Sequence, residues 1–183
     1  RAGRRDHVAR NQQGDFRRMS RALRLPSWLA PPQPDIAIEI AHRRVTVAQV
    51  SRSTPPTVTA YATEALPDDA VVPSLTAKNI ANPKVVAEAL KRAVERAGIK
   101  NPSRAAIIVP DAVARVSLLP FEQMPKRQSE LEQLIRWNVK KSVPFPVEDA
   151  VLSYVPAASE SGATTLAAVV ARRDVLAEYE SLA

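Results

Sequence analysis

The sequence contains no cysteine, so disulfides, thiolate metal sites and cysteine nucleophiles are excluded. A reducing compartment such as the cytoplasm suits such a chain. Long apolar runs are also missing, and none approaches the roughly eighteen residues that a membrane-spanning helix requires. At 183 residues with 45% hydrophobic content, the chain is nevertheless long enough to bury a core. These features favour a folded cytoplasmic protein.

Glycine is scarce, and the four glycines are isolated from one another: Gly3, Gly14, Gly98 and Gly162. Phosphate-binding loops need clustered glycines, because backbone amides must approach the phosphate oxygens closely. The sequence therefore lacks a P-loop.

Histidine is equally rare. Neither His7 nor His42 stands at a spacing from carboxylates that is typical of metal or nucleophile sites, and both are predicted to be solvated. Paired acids such as Glu148 and Asp149 are explained by their position in a turn. We therefore expect neither a metal site nor a catalytic site, and the chain is interpreted as non-enzymatic.

Positive charge is concentrated at one end of the chain. Residues 1–34 hold eight arginines and two aspartates, which accounts for most of the formal charge of +7. The remaining body is nearly neutral, which disfavours nucleic-acid recognition by a folded face. The chain starts with Arg1, and we expect Met19 to be the true start. A proline-rich spacer at residues 31–34 closes this flexible tail.

The tail also contains a segment in which arginine alternates with apolar side chains. Such a segment can lie on an anionic membrane surface, although a solvated terminus is the other interpretation. The candidate membrane-surface residues are Arg17, Arg18, Arg21, Arg24 and Trp28.

From Asp35 onwards, apolar residues occupy every second position. This period of two predicts strands at 35–40, at 45–51 and around 58–62. The first two strands are expected to form a hairpin through residues 41–44. A helix is then predicted from Asn82-Pro83 to Gly98, since Asn caps well and proline suits the first helical position.

The second half predicts further strands at 105–109, 113–119, 150–155 and 164–171, with Pro120 ending the second of these. Ser129 and Glu132 are spaced as a capping box, which predicts the start of a helix. A last helix is expected near Arg173, and we interpret the chain as an incomplete fragment of α+β class.

A series of short motifs then resembles the type IV pilus assembly family PilM, which is related to actin and the division protein FtsA. The similarity covers about Asp35 to Ala183. It rests on the order and spacing of Glu130-Leu131, Ile135-Arg136-Trp137, Val143-Pro144-Phe145-Pro146-Val147-Glu148, Val151-Leu152-Ser153-Tyr154 and Ala171-Arg172-Arg173.

The resemblance implies an actin-like, RNase H-like fold with an inserted SHS2-like subdomain. Residues 35–110 would form part of subdomain 1A and residues 111–171 the SHS2-like subdomain 1C. Residues 172–183 would begin a helix that returns to 1A.

The resemblance also implies a partner. Family members bind the cytoplasmic tail of the inner-membrane protein PilN, together with other pilus assembly proteins, at the inner face of the bacterial inner membrane. The implied role is therefore a cytoplasmic scaffold that is peripheral to that membrane.

Actin-like proteins hold ATP and its metal partly through a strand-turn-strand loop. This loop contains an Asp, a Gly and several Ser residues. The matching positions in this sequence are Glu39, Ala41, His42, Arg43 and Arg44. Glu lengthens the acidic side chain, and Ala41 crowds an approaching phosphate. The expectation is impaired binding of ATP and magnesium, although Arg43 and Arg44 have the chemistry to contact phosphate directly.

Two alternatives remain open at this point. One is an active actin-like ATPase of pilus or type II secretion machinery. The other is a protein that binds a membrane or nucleic acid through its arginine-rich tail.

Overall fold

The computed structural model of the chain describes residues 34–100, 104–125, 127–157 and 164–182. Within them lie seven strands and three α-helices, arranged as two sheets with separate hydrophobic clusters. The elements are β1 (Ile36–Ile40), β2 (Arg44–Val50), β3 (Val58–Ala65), α1 (Pro83–Ala97), β4 (Ala105–Ile108), β5 (Ala114–Phe121), α2 (Gln128–Val139), β6 (Ala150–Ala157), β7 (Thr164–Arg172) and α3 (Arg173–Glu180).

The first sheet has four strands in the order β3-β2-β1-β4. β1 pairs antiparallel with β2 and parallel with β4, and α1 lies in the connection between the first meander and β4. Alternate residues of β1 are buried, as period-two patterning predicts. Ile38 and Ile40 therefore face the core, while Glu39 lies on the opposite face of the sheet.

Both predicted ends of α1 are confirmed. The Asn82 side chain accepts a hydrogen bond from the Val85 amide at 3.4 Å, and Pro83 is the first helical residue. Gly98 ends the helix in the left-handed region with φ of 66°, a conformation that costs other residues about 1 kcal/mol or more. The helix buries Val86, Ala89, Leu90 and Ala93.

The second sheet is antiparallel with the order β5-β7-β6, and α2 packs on one of its faces. Leu131, Ile135 and Val139 recur at four-residue intervals, so they form one buried stripe against the sheet.

Two details of this half differ from the sequence prediction. The capping box at Ser129 is wrong, because α2 already begins at Gln128 and Arg127 occupies the N-cap position without a side-chain hydrogen bond to the helix. Pro120 does not end β5 either, since the strand continues to Phe121. Proline is tolerated there because β5 is an edge strand, which needs no donor on its outer side.

Helix α3 returns the chain to the hydrophobic core of the four-stranded sheet. Val175 and Tyr179 of this helix are buried in the same cluster as Ile36, Ile38 and Val113. The α+β class of the prediction is confirmed by the two sheets and three helices, whereas the predicted subdomain boundaries and the SHS2 assignment stay predictions. No helix within the described residues has the length and apolarity needed to cross a membrane.

Candidate functional site

The residues predicted to form a nucleotide loop lie together at the corner of the β1–β2 hairpin, which we call the hairpin corner (Glu39 to Arg44). Glu39 precedes the last residue of β1, and Arg44 is the first residue of β2. The turn is closed by a 2.9 Å hydrogen bond from the Ala41 amide to the Arg44 carbonyl. That amide is therefore already used within the turn.

Glu39 and Arg44 form an ion pair across the hairpin corner. Nε and Nη2 of Arg44 donate to separate carboxylate oxygens of Glu39 at 3.1 and 3.2 Å. The hydrogen bonds from Arg44 hold the pKa of Glu39 below its ordinary value, and desolvation opposes this only in part. The carboxylate is thus ionised, with its charge neutralised by its own neighbour.

The other two polar side chains of the corner also contact the chain itself. Arg43 forms an ion pair with Asp68 at 2.8 Å. His42 is exposed as predicted, yet its Nδ1 lies 2.6 Å from the carbonyl oxygen of Val71. Since a carbonyl only accepts, that ring nitrogen carries the proton.

These contacts engage the groups that a magnesium phosphate site would use. A metal would need free carboxylate oxygens, and a phosphate would need unengaged amides and cations. Here Glu39, Ala41, Arg43 and Arg44 each have an internal partner. Across the part of the chain that the structure describes, no group of three or more acidic, histidine or cysteine side chains could hold a metal ion.

The predicted membrane-surface residues cannot be placed in the same way. Arg17, Arg18, Arg21, Arg24 and Trp28 all lie outside the described residues.

Sequence reasoning missed a buried polar network around Asn79, which we call the Asn79 clamp (Ser74, Asn79, Glu178 and Tyr179). Asn79 is fully buried. Its Oδ1 accepts from the Ser74 amide at 2.7 Å and from the Tyr179 hydroxyl at 3.1 Å. Its Nδ2 donates to the carbonyls of Ser74 and Ala77. Both lone pairs of Oδ1 and both hydrogens of Nδ2 therefore have a partner.

Helix α3 supplies the other side of the clamp. The Glu178 carboxylate accepts from the backbone amides of Asn79 and Ile80 at 2.9 and 2.8 Å. Burial raises the pKa of Tyr179 to about 12, with the nearby Glu178 charge adding to the effect. The clamp therefore ties α3 to the segment between β3 and α1, and fixes the helix in place.

The opposite, N-terminal end of α3 borders an open cleft of about 600 Å³. The cleft lies between the end of β7, the first turns of α3 and the segment before β6, and we call it the junction cleft. Its lining combines apolar and charged side chains: Phe145, Pro146, Asp149, Arg172, Arg173, Asp174 and Ala177.

Two arginines hold the walls of the junction cleft together. Arg173 donates to the Ala150 carbonyl at the start of β6 at 3.3 Å. Arg172 donates to the Thr76 carbonyl and pairs with Asp174, with 2.7 Å between Nε and Oδ1. The hydrogen bonds from Arg172 hold the pKa of Asp174 below its ordinary value. The charged lining is consequently balanced in sign, while apolar surface stays open between its members.

Little in the sequence could have located this cleft, because its walls come from separate parts of the chain. The one available signal was the run Arg172-Arg173-Asp174 directly after a strand. The residues that these charged side chains contact could not be identified from the sequence.

Comparison with known proteins gives a family match and matches to solved structures. The sequence matches the family described as type IV pilus assembly protein PilM over residues 37–182. Among solved structures, the fold is similar to a chain of a PilM-PilN type IV pilus biogenesis complex, with a TM-score of 0.68 and 20% identity. That similarity covers 83% of this chain and 44% of the other, so this chain spans less than half of its relative's length.

A second structure is the cytoplasmic domain of EpsL, an inner-membrane component of the type II secretion system of Vibrio cholerae. It has 11% identity and a TM-score of 0.47, with 80% of this chain and 52% of that chain covered. No curated protein matches the sequence. The family match extends over most of the chain, from the second residue of β1 past the end of α3, and the chain therefore belongs to the type IV pilus assembly protein PilM family.

Proposed function

We propose that the chain acts as a cytoplasmic scaffold of type IV pilus biogenesis and binds the cytoplasmic tail of a PilN-like inner-membrane protein. Membership of the PilM family supports this role, as does the similarity to a chain from a PilM-PilN complex. The scaffold would then lie at the inner face of the inner membrane, held there by its partner.

The junction cleft is the surface that we assign to the tail, and its lining is the observation that carries the proposal. Phe145, Pro146 and Ala177 offer apolar surface for side chains of an extended peptide. Asp149 and Arg173 offer one charge of each sign at the rim, suited to fixing the register of a peptide. Mixed apolar and polar lining of this kind is typical of binding clefts.

The test is a titration of the full-length protein with a fluorescent peptide of the PilN-like cytoplasmic tail. Ala177→Arg places a bulky side chain on the exposed face of α3 where the helix borders the cleft. We expect the dissociation constant to rise at least about tenfold, because a buried contact of about 1.4 kcal/mol corresponds to that factor.

The matched control is Glu180→Arg, an exposed position on the same helix that does not line the cleft. Its affinity should equal that of the unaltered protein. Equal affinities of both variants for the peptide would show that the tail binds another surface. Absence of binding by the unaltered protein would contradict the scaffold role.

We also infer that the hairpin corner does not bind Mg-ATP. Its acidic side chain is neutralised by Arg44, and its turn amide is hydrogen-bonded within the turn. Calorimetry with Mg-ATP on the full-length protein should show no binding that depends on Glu39. Magnesium-dependent binding that Glu39→Ala abolishes would instead support the ATPase alternative.

A further inference from the structure

An exposed tryptophan marks the C-terminal end of α2. Trp137 is 66% exposed, although large aromatic side chains usually bury most of their surface. It stands two residues from both Ile135 and Val139, which are fully buried. At 100° per residue the indole therefore projects from the helix face opposite the core.

Three cations surround this indole in the sequence. Arg136 adjoins it in α2, and Lys140 and Lys141 follow it by three and four residues, in the turn directly after the helix. All three are exposed and form no ion pair with any described residue. By contrast, Arg127 at the start of the same helix is paired with Glu130 at 3.6 Å.

The helix dipole explains cations at this end, because they interact favourably with the terminal carbonyls. It does not explain the indole, which carries no charge and whose large apolar ring would be stabilised by burial. An aromatic ring beside unpaired cations is instead the combination found where proteins meet the headgroup region of a bilayer.

We propose that this surface, the Trp137 patch (Arg136, Trp137, Lys140 and Lys141), binds the anionic phospholipid surface of a membrane. The cations would approach lipid phosphates while the indole enters the interfacial layer. The patch holds one aromatic ring, whereas single-stranded nucleic acid is bound in grooves with several stacking rings. This assignment does not depend on tail binding at the junction cleft.

The test uses the full chain with Trp28→Phe in every protein compared, so that Trp137 becomes the sole tryptophan. Emission is recorded with vesicles of phosphatidylethanolamine and phosphatidylglycerol, and with vesicles of phosphatidylcholine alone. We expect a blue shift and cosedimentation with the anionic vesicles only. Each charge near the surface should contribute about a fivefold gain in partitioning.

Two charge variants separate this patch from general basicity. Lys140→Glu with Lys141→Glu should weaken partitioning by more than about tenfold. Lys84→Glu with Lys100→Glu makes the same change in net charge at two exposed sites on and after α1, and should have a much smaller effect. Trp137→Ala should weaken partitioning several-fold while the protein remains folded by circular dichroism.

Several results would overturn the proposal. These are vesicle binding without a shift in Trp137 emission, and equal losses for the two charge variants. An equal blue shift with polyglutamate or single-stranded DNA in place of vesicles would likewise replace the lipid with an acidic peptide or nucleic acid.

Discussion

The hairpin corner and the Asn79 clamp are both polar networks of the four-stranded half, by which we mean the four-stranded sheet with α1 and α3. They differ in their exposure to solvent. In the corner, the side chains of Arg43 and Asp68 are 71% and 70% exposed. In the clamp, Asn79 and Tyr179 are almost fully buried. Exposed ion pairs contribute little to stability because water competes for both partners, whereas a buried group that loses its partner carries the full desolvation penalty.

The difference separates two uses of polarity in one fold. The clamp fixes the position of α3 and hence one wall of the junction cleft. In the corner, Arg44 mainly neutralises the charge of Glu39, and the contacts there contribute little to folding.

The largest effect is expected for Asn79→Ala. The change leaves the Ser74 amide and the Tyr179 hydroxyl without their shared acceptor in a buried site. We expect the free energy of unfolding to fall by about 2–4 kcal/mol, measured by urea denaturation. Asn138→Ala is the control, because that amide donates only to the Leu134 carbonyl of its own helix. Equal losses for the two variants would contradict the clamp.

Glu178→Ala comes next. It removes the acceptor of two backbone amides, and hydrogen bonds to charged groups are worth about 1.5–3 kcal/mol. Glu180→Ala, two residues further along the helix and exposed, should change stability by less than about 0.5 kcal/mol. If the two variants had the same free energy of unfolding in thermal or urea denaturation, the Glu178 contacts would contribute no more to stability than an exposed side chain.

A smaller effect is expected for Tyr179→Phe, which removes one hydroxyl and should cost about 1 kcal/mol at neutral pH. The pKa of Tyr179 is raised on folding, so its contribution is complete below the ordinary value near pH 10 and is lost as the pH rises towards about 12. The unaltered protein should therefore lose stability more steeply than the variant across this interval. Parallel pH profiles would show that the hydroxyl is not buried.

The smallest effect is expected in the hairpin corner. Glu39→Gln should lower the free energy of unfolding by at most about 1 kcal/mol, since Arg44 is largely exposed. Because folding lowers the pKa of Glu39, this contribution is present at neutral pH and is lost as the pH falls below about 4. Nuclear magnetic resonance titration of the carboxyl measures the shift directly. An ordinary pKa would indicate that Arg44 points away from Glu39.

Much of the fold was predictable because local patterning agrees with the final structure. Alternation located β1 and β2, and Asn82, Pro83 and Gly98 located α1 within a residue or two. The misplaced start of α2 shows the limit of this reasoning. A capping motif indicates that a side chain is able to accept a hydrogen bond from the first turn of a helix. Tertiary packing, here of Leu131 and Ile135, can override that preference and set the helix start.

The clamp and the junction cleft were not predictable from local patterns. Asn79 and Tyr179 are 100 positions apart, and neither has a local motif that names the other. At the hairpin corner, the sequence identified the altered residues but not their pairing. Arg44 had the chemistry to bind phosphate or a carboxylate, and its pairing with Glu39 became visible only in the structure.

The register of β5 and β7 has a consequence for how this molecule can be rebuilt. Ala114, at the first residue of β5, pairs directly with Ala171, near the end of β7. In an antiparallel ladder such residues stand about 5 Å apart, so the chain leaves and re-enters the four-stranded half at nearly one point. Everything between them could be excised and bridged by a short turn without stretching the remaining chain. By this geometry a different binding unit could be grafted onto the same pair of positions in place of the three-stranded sheet.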